Sequence, residues 1–291
     1  MRPIAKWLLA RPWNPVFALA LSLVVPLAPV ISGTCIVFLV LAGGVQKAVL
    51  QGAAAAALLA ILTVLVGDSP LLLLRNIVAI WLPAVALTAV LQRTRSLSFA
   101  VQVSVIGAIA VTAGLHVFGG DPVTFWGGIV DRSHLVLESA RWSAETLALM
   151  QEYRDDIARQ MTMMVVFLGW STLVLVLVLG YGLHQCLPEQ GVRYGRFSDL
   201  QLGRVLAFAM ALASLAAFVV HAGWLQDIAF VLFAAFWVQG VAMVHWLHSD
   251  GPLPVYVLLP FLHVLLIMTM AVLGYTDAWF NFRSRIAAGR K

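Results

Sequence analysis

The groups best able to do chemistry in this chain are few, and they sit where a polar group is costly. Gln239 falls near the middle of the apolar run 227–247, and His263 near the middle of the run 253–275. A buried amide or imidazole with no partner in an apolar medium costs several kcal/mol, so each must find a hydrogen bond. The short connector 247–252 makes the two runs antiparallel neighbours and puts Gln239 and His263 at nearly the same depth. There an amide can donate to, or accept from, a neutral imidazole. Two uses of such a pair stay open: polar glue between helices, or a site that faces a ligand. Arg75 and Asn76, near the start of the run 71–91, form a second polar step, where an arginine either reaches the headgroups on its long stem or meets a ligand. These four are the candidate ligand-binding residues.

Signatures of soluble enzymes are missing. The sequence has no Gly-x-x-x-x-Gly-Lys-Ser/Thr phosphate loop and no His-Glu-x-x-His pair. Gly169-Trp170-Ser171 lacks the second glycine of a nucleophile elbow. The two cysteines, Cys35 and Cys186, have no metal-like spacing and read as packing residues. Asp68, Asp121, Asp227, Asp250 and Asp277 fall at helix ends or in connectors, whereas ion-driven carriers place acidic groups inside the bundle. No catalytic residue, metal ligand or cofactor is assigned, and a non-enzyme is expected.

The elements that must position the polar groups are apolar helices. Of 291 residues, 62% are hydrophobic and 11% charged, and the mean hydropathy is +0.96. A soluble domain carries roughly 25% charged residues to keep its surface in water, so this surface faces lipid. A helix crossing the ~30 Å hydrocarbon layer needs about 20 mostly apolar residues. The spacing predicts spans at about 15–31, 32–42, 48–66, 71–91, 97–118, 161–183, 203–222, 227–247 and 253–275. The expected fold is an all-α polytopic transmembrane bundle of about nine spans, or eight, with one amphipathic extramembrane helical segment at 119–160. There Leu137, Ala140, Ala144 and Leu147 recur at helical spacing. That helix either lies against the membrane or the bundle, or extends, solvated, into the next span. Two parts are expected: a six-helix membrane bundle over 1–184, and a three-helix segment with a basic tail over 185–291.

Connector charge suggests orientation. The net charge of +5 concentrates in short connectors and both tails, which is a membrane-orientation signal and not a nucleic-acid one. An inside N-terminus puts Lys47, Arg93, Arg95, Arg193 and Arg196 inside and the acidic 119–160 segment outside. With nine spans the basic tail falls outside, with eight inside.

Gly52, Ala56 and Ala60 repeat at four-residue spacing and predict a close helix–helix seam. At the other end, Asp277, Trp279, Phe280, Phe282 and Arg283 read as an interface anchor: the aromatic rings sit at headgroup level beside the arginine, and the aspartate caps or pairs locally.

Three stretches carry a resemblance. They are Gly195-Arg196-Phe197 with Leu200 to Arg204, then Phe236-Trp237-Val238-Gln239-Gly240-Val241-Ala242, and Gly274-Tyr275-Thr276-Asp277-Ala278-Trp279-Phe280-Asn281-Phe282-Arg283. In these the chain resembles the YybS-like family of bacterial polytopic membrane proteins, a domain of unknown function. The resemblance implies a multi-pass protein of the bacterial inner membrane. The amino-terminal part of that family is distantly similar to the substrate-binding subunits of energy-coupling-factor transporters, six-helix bundles that depend on a separate ATPase partner. Those subunits often carry an alanine-x-x-x-alanine pair for docking; here Ala18 is followed four residues later by Ser22.

The function expected from sequence is a small-molecule- or lipid-binding, transport-related membrane subunit with no energy source of its own. Its partners would be the lipid bilayer and a separate membrane or ATPase protein, with no nucleic acid. The rival reading is a non-transporting membrane scaffold for envelope or membrane-associated assembly factors.

Overall fold

The computed structural model describes residues 2–25, 27–67, 69–187, 194–247 and 264–289. All regular structure among them is helical. The helices are α1 (Arg2–Ala10), α2 (Asn14–Ser22), α3 (Ala28–Gly43), α4 (Val45–Leu65), α5 (Pro70–Thr94), α6 (Leu97–Gly119), α7 (Pro122–Ser139), α8 (Ala144–Glu152), α9 (Arg154–Gln185), α10 (Gly203–Val220), α11 (Gly223–Leu247), α12 (Val264–Phe280) and α13 (Phe282–Gly289). Among the described residues six helices are long and apolar enough to cross a membrane: α4, α5 from Leu73, α6, α9, α10 and α11. Ala28–Gly43 and Leu265–Phe280 are apolar but shorter.

Local chemistry explains the boundaries. Asp121, Ser143 and Ser69 cap α7, α8 and α5 by accepting from backbone N–H groups two or three residues on, and Pro122 and Pro70 open α7 and α5 where a missing N–H costs nothing. Gly44, at φ 84°, is the whole turn between α3 and α4. Val45, Gln46 and Lys47, which fall between the expected spans 32–42 and 48–66, are already helical.

Two expectations are corrected. The run 15–31 is not one helix followed by a second at 32: α2 stops at Ser22, Leu27 adopts a left-handed conformation at φ 63°, and α3 runs unbroken through Ile31 and Ser32. Pro29 in the first turn of α3 suits a helix start, a signal that apolar composition alone hides. Likewise the stripe Leu137, Ala140, Ala144, Leu147 does not lie on one helix. Arg141 is left-handed at φ 60°, and Ser143 caps a new helix. Beyond α8 the acidic segment passes into α9, whose 32 residues start at Arg154 and carry on through the expected span.

Contacts group the chain into two compact units, Met1–Ser104 with Trp170–Leu200, and Val105–Gly169 with Gln201–Lys291. Helices α6 and α9 are divided between them, so these units cut the chain elsewhere than the 184/185 boundary drawn from connectors and charge.

In the first unit α3 is the centre. Residues 36–41 are all buried, so this helix is covered on every side. It packs on α2, α4 and α5 and on the second half of α9, where a β-carbon on Gly33 or Gly180 would press on Val176 or Val37. Gln92 Nε2 donates to the Val40 carbonyl at 2.8 Å, and Trp170 Nε1 donates to Ser104 Oγ at 2.9 Å. The expected seam on α4 shifts register: Ala48, Gly52, Ala55 and Leu59 are buried, while Ala56 and Ala60 are half-buried. A β-carbon on Gly52 would meet the Trp81 ring at 3.1 Å, so the close approach there is to an aromatic side chain on α5.

In the second unit α11 packs most extensively on α12 and also on α10. A β-carbon on Gly240 would overlap the Met270 carbonyl oxygen, and one on Gly274 the Phe236 carbonyl oxygen. The two backbones are therefore in direct contact and antiparallel, with 240 facing 270 and 236 facing 274. A smaller cluster of Trp126, Val130 and Ala158 joins α7 to α9, with Trp126 Nε1 donating to Thr162 Oγ1 at 2.8 Å.

Candidate functional site

The close α11–α12 crossing brings the rarest residues of the second unit together. Gln239, wholly buried on α11, accepts from the Leu202 backbone N–H at 2.8 Å. Its amide nitrogen donates to the Gly274 carbonyl at 2.9 Å and to Asp277 Oδ2 at 3.2 Å. Asp277 is also wholly buried. Helix α12 ends because Asn281 adopts the left-handed conformation at φ 49°, one that asparagine tolerates, and its N–H returns to the Asp277 carbonyl at 2.9 Å. That reversal folds α13 back, and Arg283 reaches Asp277 Oδ2 through Nη2 at 2.7 Å and Nε at 3.1 Å. Arg283 is 6% exposed. Asp277 Oδ1 has no hydrogen-bond partner among the described residues. Arg204, on α10, donates to the Trp279 carbonyl at 3.3 Å.

Parts of all three stretches that carry the family resemblance thus meet at one place: Leu202 and Arg204; Phe236, Gln239 and Gly240; Gly274, Asp277 and Arg283. The glycines permit backbone contact, and the polar side chains tie the helices. Each polar atom of Gln239 is engaged within the protein, so what this arrangement does chemically is lock α10, α11, α12 and α13 together. An amide bridging a carbonyl and a carboxylate, backed by a buried ion pair, fits polar glue between the helices.

The sequence-expected residues separate here. His263, the expected partner of Gln239, and the side chain of Asn76 lie outside the described residues. Arg75 is exposed on α5. The anchor set divides: Phe280 is exposed, Trp279 and Phe282 are half-buried, and Asp277 and Arg283 turn inward as a pair. Arg283 turns into the protein, because Asn281 redirects the chain.

Sequence reasoning missed a second, partly buried pair. His116 Nε2 lies 2.7 Å from Asp227 Oδ2, and the two side chains are 15% and 10% exposed. Their separation of 111 residues leaves no local signal. At the start of α9, Arg154 binds Asp131 of α7 in bidentate fashion, Nε to Oδ1 at 2.6 Å and Nη2 to Oδ2 at 2.8 Å. These hydrogen bonds hold the Asp131 carboxyl below its usual range.

A cavity in the first unit was also missed. It measures about 150 Å³ and lies among α1, α2, α3 and α4. Leu8, Pro15 and Leu39 give it buried apolar walls, and Arg11, Lys47 and Gln51 line it as well. The turn between α1 and α2 that carries Arg11 is fixed on both sides. Asn14 Nδ2 donates to the Trp7 carbonyl at 2.6 Å, and Gln51 Nε2 donates to the Pro12 carbonyl at 3.4 Å. Among the described residues no group of three or more His, Cys, Asp or Glu could hold a metal ion. No family model, curated protein or solved structure matches the chain.

Proposed function

We propose that this chain is a multi-pass protein of a bacterial inner membrane that binds a lipid or small molecule and depends on a partner for energy. The observation that carries the reading is the cavity among α1–α4, whose apolar wall and cationic rim suit an amphiphile with an acidic group. The ionic lock at Gln239, Asp277 and Arg283 supports a rigid hairpin of α11 and α12 and not a second ligand site.

The proposed topology keeps the parity of about nine passes: α2, too short at nine residues to cross alone, forms with α3 a hairpin that returns to the side it enters from, followed by the six long helices and Leu265–Phe280. In support of the hairpin, the Gln51–Pro12 hydrogen bond ties the chain before α2 to the helix after α3, so the chain enters and leaves at one level. Arg11 and Lys47 then share a side with Arg93 and Arg95, the cytoplasmic side by the excess of basic residues, and α7 and α8 lie opposite. The likeness to the YybS-like proteins, and through them to energy-coupling-factor subunits, favours an ATPase module as the partner.

Affinity purification of the full chain in mild detergent, with identification of copurifying proteins and extractable small molecules, tests this. A lipid or small molecule held in fixed ratio is expected, with an ATPase module among the proteins. Envelope-assembly proteins alone, with no retained ligand, would instead favour the scaffold.

A further inference from the structure

The chain has no Asp or Glu between Met1 and Gly67, a stretch that holds Arg2, Lys6, Arg11 and Lys47. Arg11 and Lys47 line the same cavity, and among the described residues neither meets a carboxylate within 4 Å. Two like charges at one cavity repel each other, and an anion between them relieves that repulsion. Gln51 adds a side-chain amide, whose nitrogen is partly engaged by Pro12.

Size narrows the occupant. Clefts that enclose a drug-sized ligand measure roughly 300–1,000 Å³, and this cavity, at about 150 Å³, admits only a small group. A ligand that presents a small anionic head here and leaves the rest of its mass outside fits these dimensions. The surroundings show where that rest would go. Trp7, Trp13 and Phe17 are 51%, 67% and 60% exposed on α1, its turn and α2, and exposed aromatic rings of this kind settle at the headgroup level of a bilayer. Ile4 and Leu9 are exposed beside them on α1, the pattern of a short helix lying in the interface. The cavity mouth then opens among headgroups, with Leu8, Pro15 and Leu39 against the first carbons of the lipid.

From this geometry we infer that Arg11 and Lys47 bind the phosphate of an anionic phospholipid, with the acyl chains remaining in the bilayer. This rests on the ligand-binding reading above and names its ligand. Arginine supplies a planar fork that matches two phosphate oxygens, and lysine a compact point charge.

The test uses the full chain, purified in detergent and delipidated, with phosphatidylglycerol, phosphatidylcholine of the same acyl chains, or inorganic phosphate added. Binding is read by native mass spectrometry and by the shift in thermal midpoint. Phosphatidylglycerol is expected to bind at one site and raise the midpoint, with phosphatidylcholine and inorganic phosphate much weaker. In R11Q/K47Q, whose altered side chains are exposed, the unliganded midpoint should not fall below the wild-type value, since the change removes a repulsion. At about 1 kcal/mol per basic residue near a membrane surface, its Kd for phosphatidylglycerol should rise about 30-fold. R93Q/R196Q removes two exposed charges outside the cavity and should bind as the wild type does. Equal loss in both double variants, no loss in R11Q/K47Q, or equal binding of inorganic phosphate would overturn the inference. If phosphatidylcholine binds as well as phosphatidylglycerol and R11Q/K47Q is silent, the phosphate claim fails and the ligand-binding reading survives. If no lipid binds and the purified chain holds no small molecule, both fail.

Discussion

Asp277 and Arg283, six residues apart and separated by a left-handed Asn281, form a two-bond ion pair that is almost wholly withdrawn from the surface. Removing one member of a buried pair strands the other, at a cost of about 3–5 kcal/mol, whereas replacing both with apolar groups costs far less. Arg283→Leu should therefore destabilise the detergent-solubilised chain strongly, and Asp277→Leu/Arg283→Leu should recover part of the loss. Thermal unfolding of the single and double variants measures the coupling, and strictly additive losses would mean that the pair is not energetically joined.

The α11–α12 crossing gives a sharper steric prediction. Gly240→Ala and Gly274→Ala must separate two backbones in contact, an overpacking cost of about 3 kcal/mol or more. Gly107→Ala, also within a helix, meets nothing within 4 Å and should be neutral or stabilising by about 0.5–1 kcal/mol. Melting curves of the three variants decide it; similar midpoints would refute the contact.

Asp131 supplies a pH dependence whose sign is fixed. Its folded-state pKa is lowered, chiefly by the hydrogen bonds from Arg154. Its contribution is therefore fully present above the unfolded carboxylate value of about 3.9 and is lost as pH falls through the lower folded value. The Asp131 side chain is half exposed, so the effect is modest and screened by salt. The wild type should melt above Asp131→Asn at pH 7, and the gap should close under acid and in high salt. A gap unchanged by both would argue against the ion pair.

Orientation follows from the charge asymmetry. In a background without Cys35 and Cys186, single cysteines at Arg93 and Arg196 should resist a membrane-impermeant thiol reagent applied to intact cells, whereas one at Glu145 should react. All three positions are exposed in the structure. The reverse pattern would invert the topology.

What was legible in the sequence follows from what is local. The apolar runs at 71–91, 97–118 and 203–222 coincide within a few residues with α5, α6 and α10, because length and hydropathy are properties of one segment. The breaks at Leu27 and Arg141 were hidden, since a single left-handed residue does not change composition. Three stretches stood out as unusual, and parts of all three meet at Gln239, where each glycine and polar residue has a geometric task. The partners themselves were not legible. Gln239 reaches Leu202 and Gly274, His116 reaches Asp227, and Arg11 shares a cavity with Lys47, and only the fold sets such distant pairs.

Whether this membrane chain holds an amphiphile among α1–α4 is decided by a mass measurement. The full chain, purified in mild detergent without added lipid, is sprayed under native conditions and its mass compared with that of the bare polypeptide. One discrete adduct per chain, of lipid or small-molecule mass, retained through detergent removal and depleted in R11Q/K47Q, is the predicted result. A spectrum of bare polypeptide alone, under conditions where the protein remains folded, would contradict it.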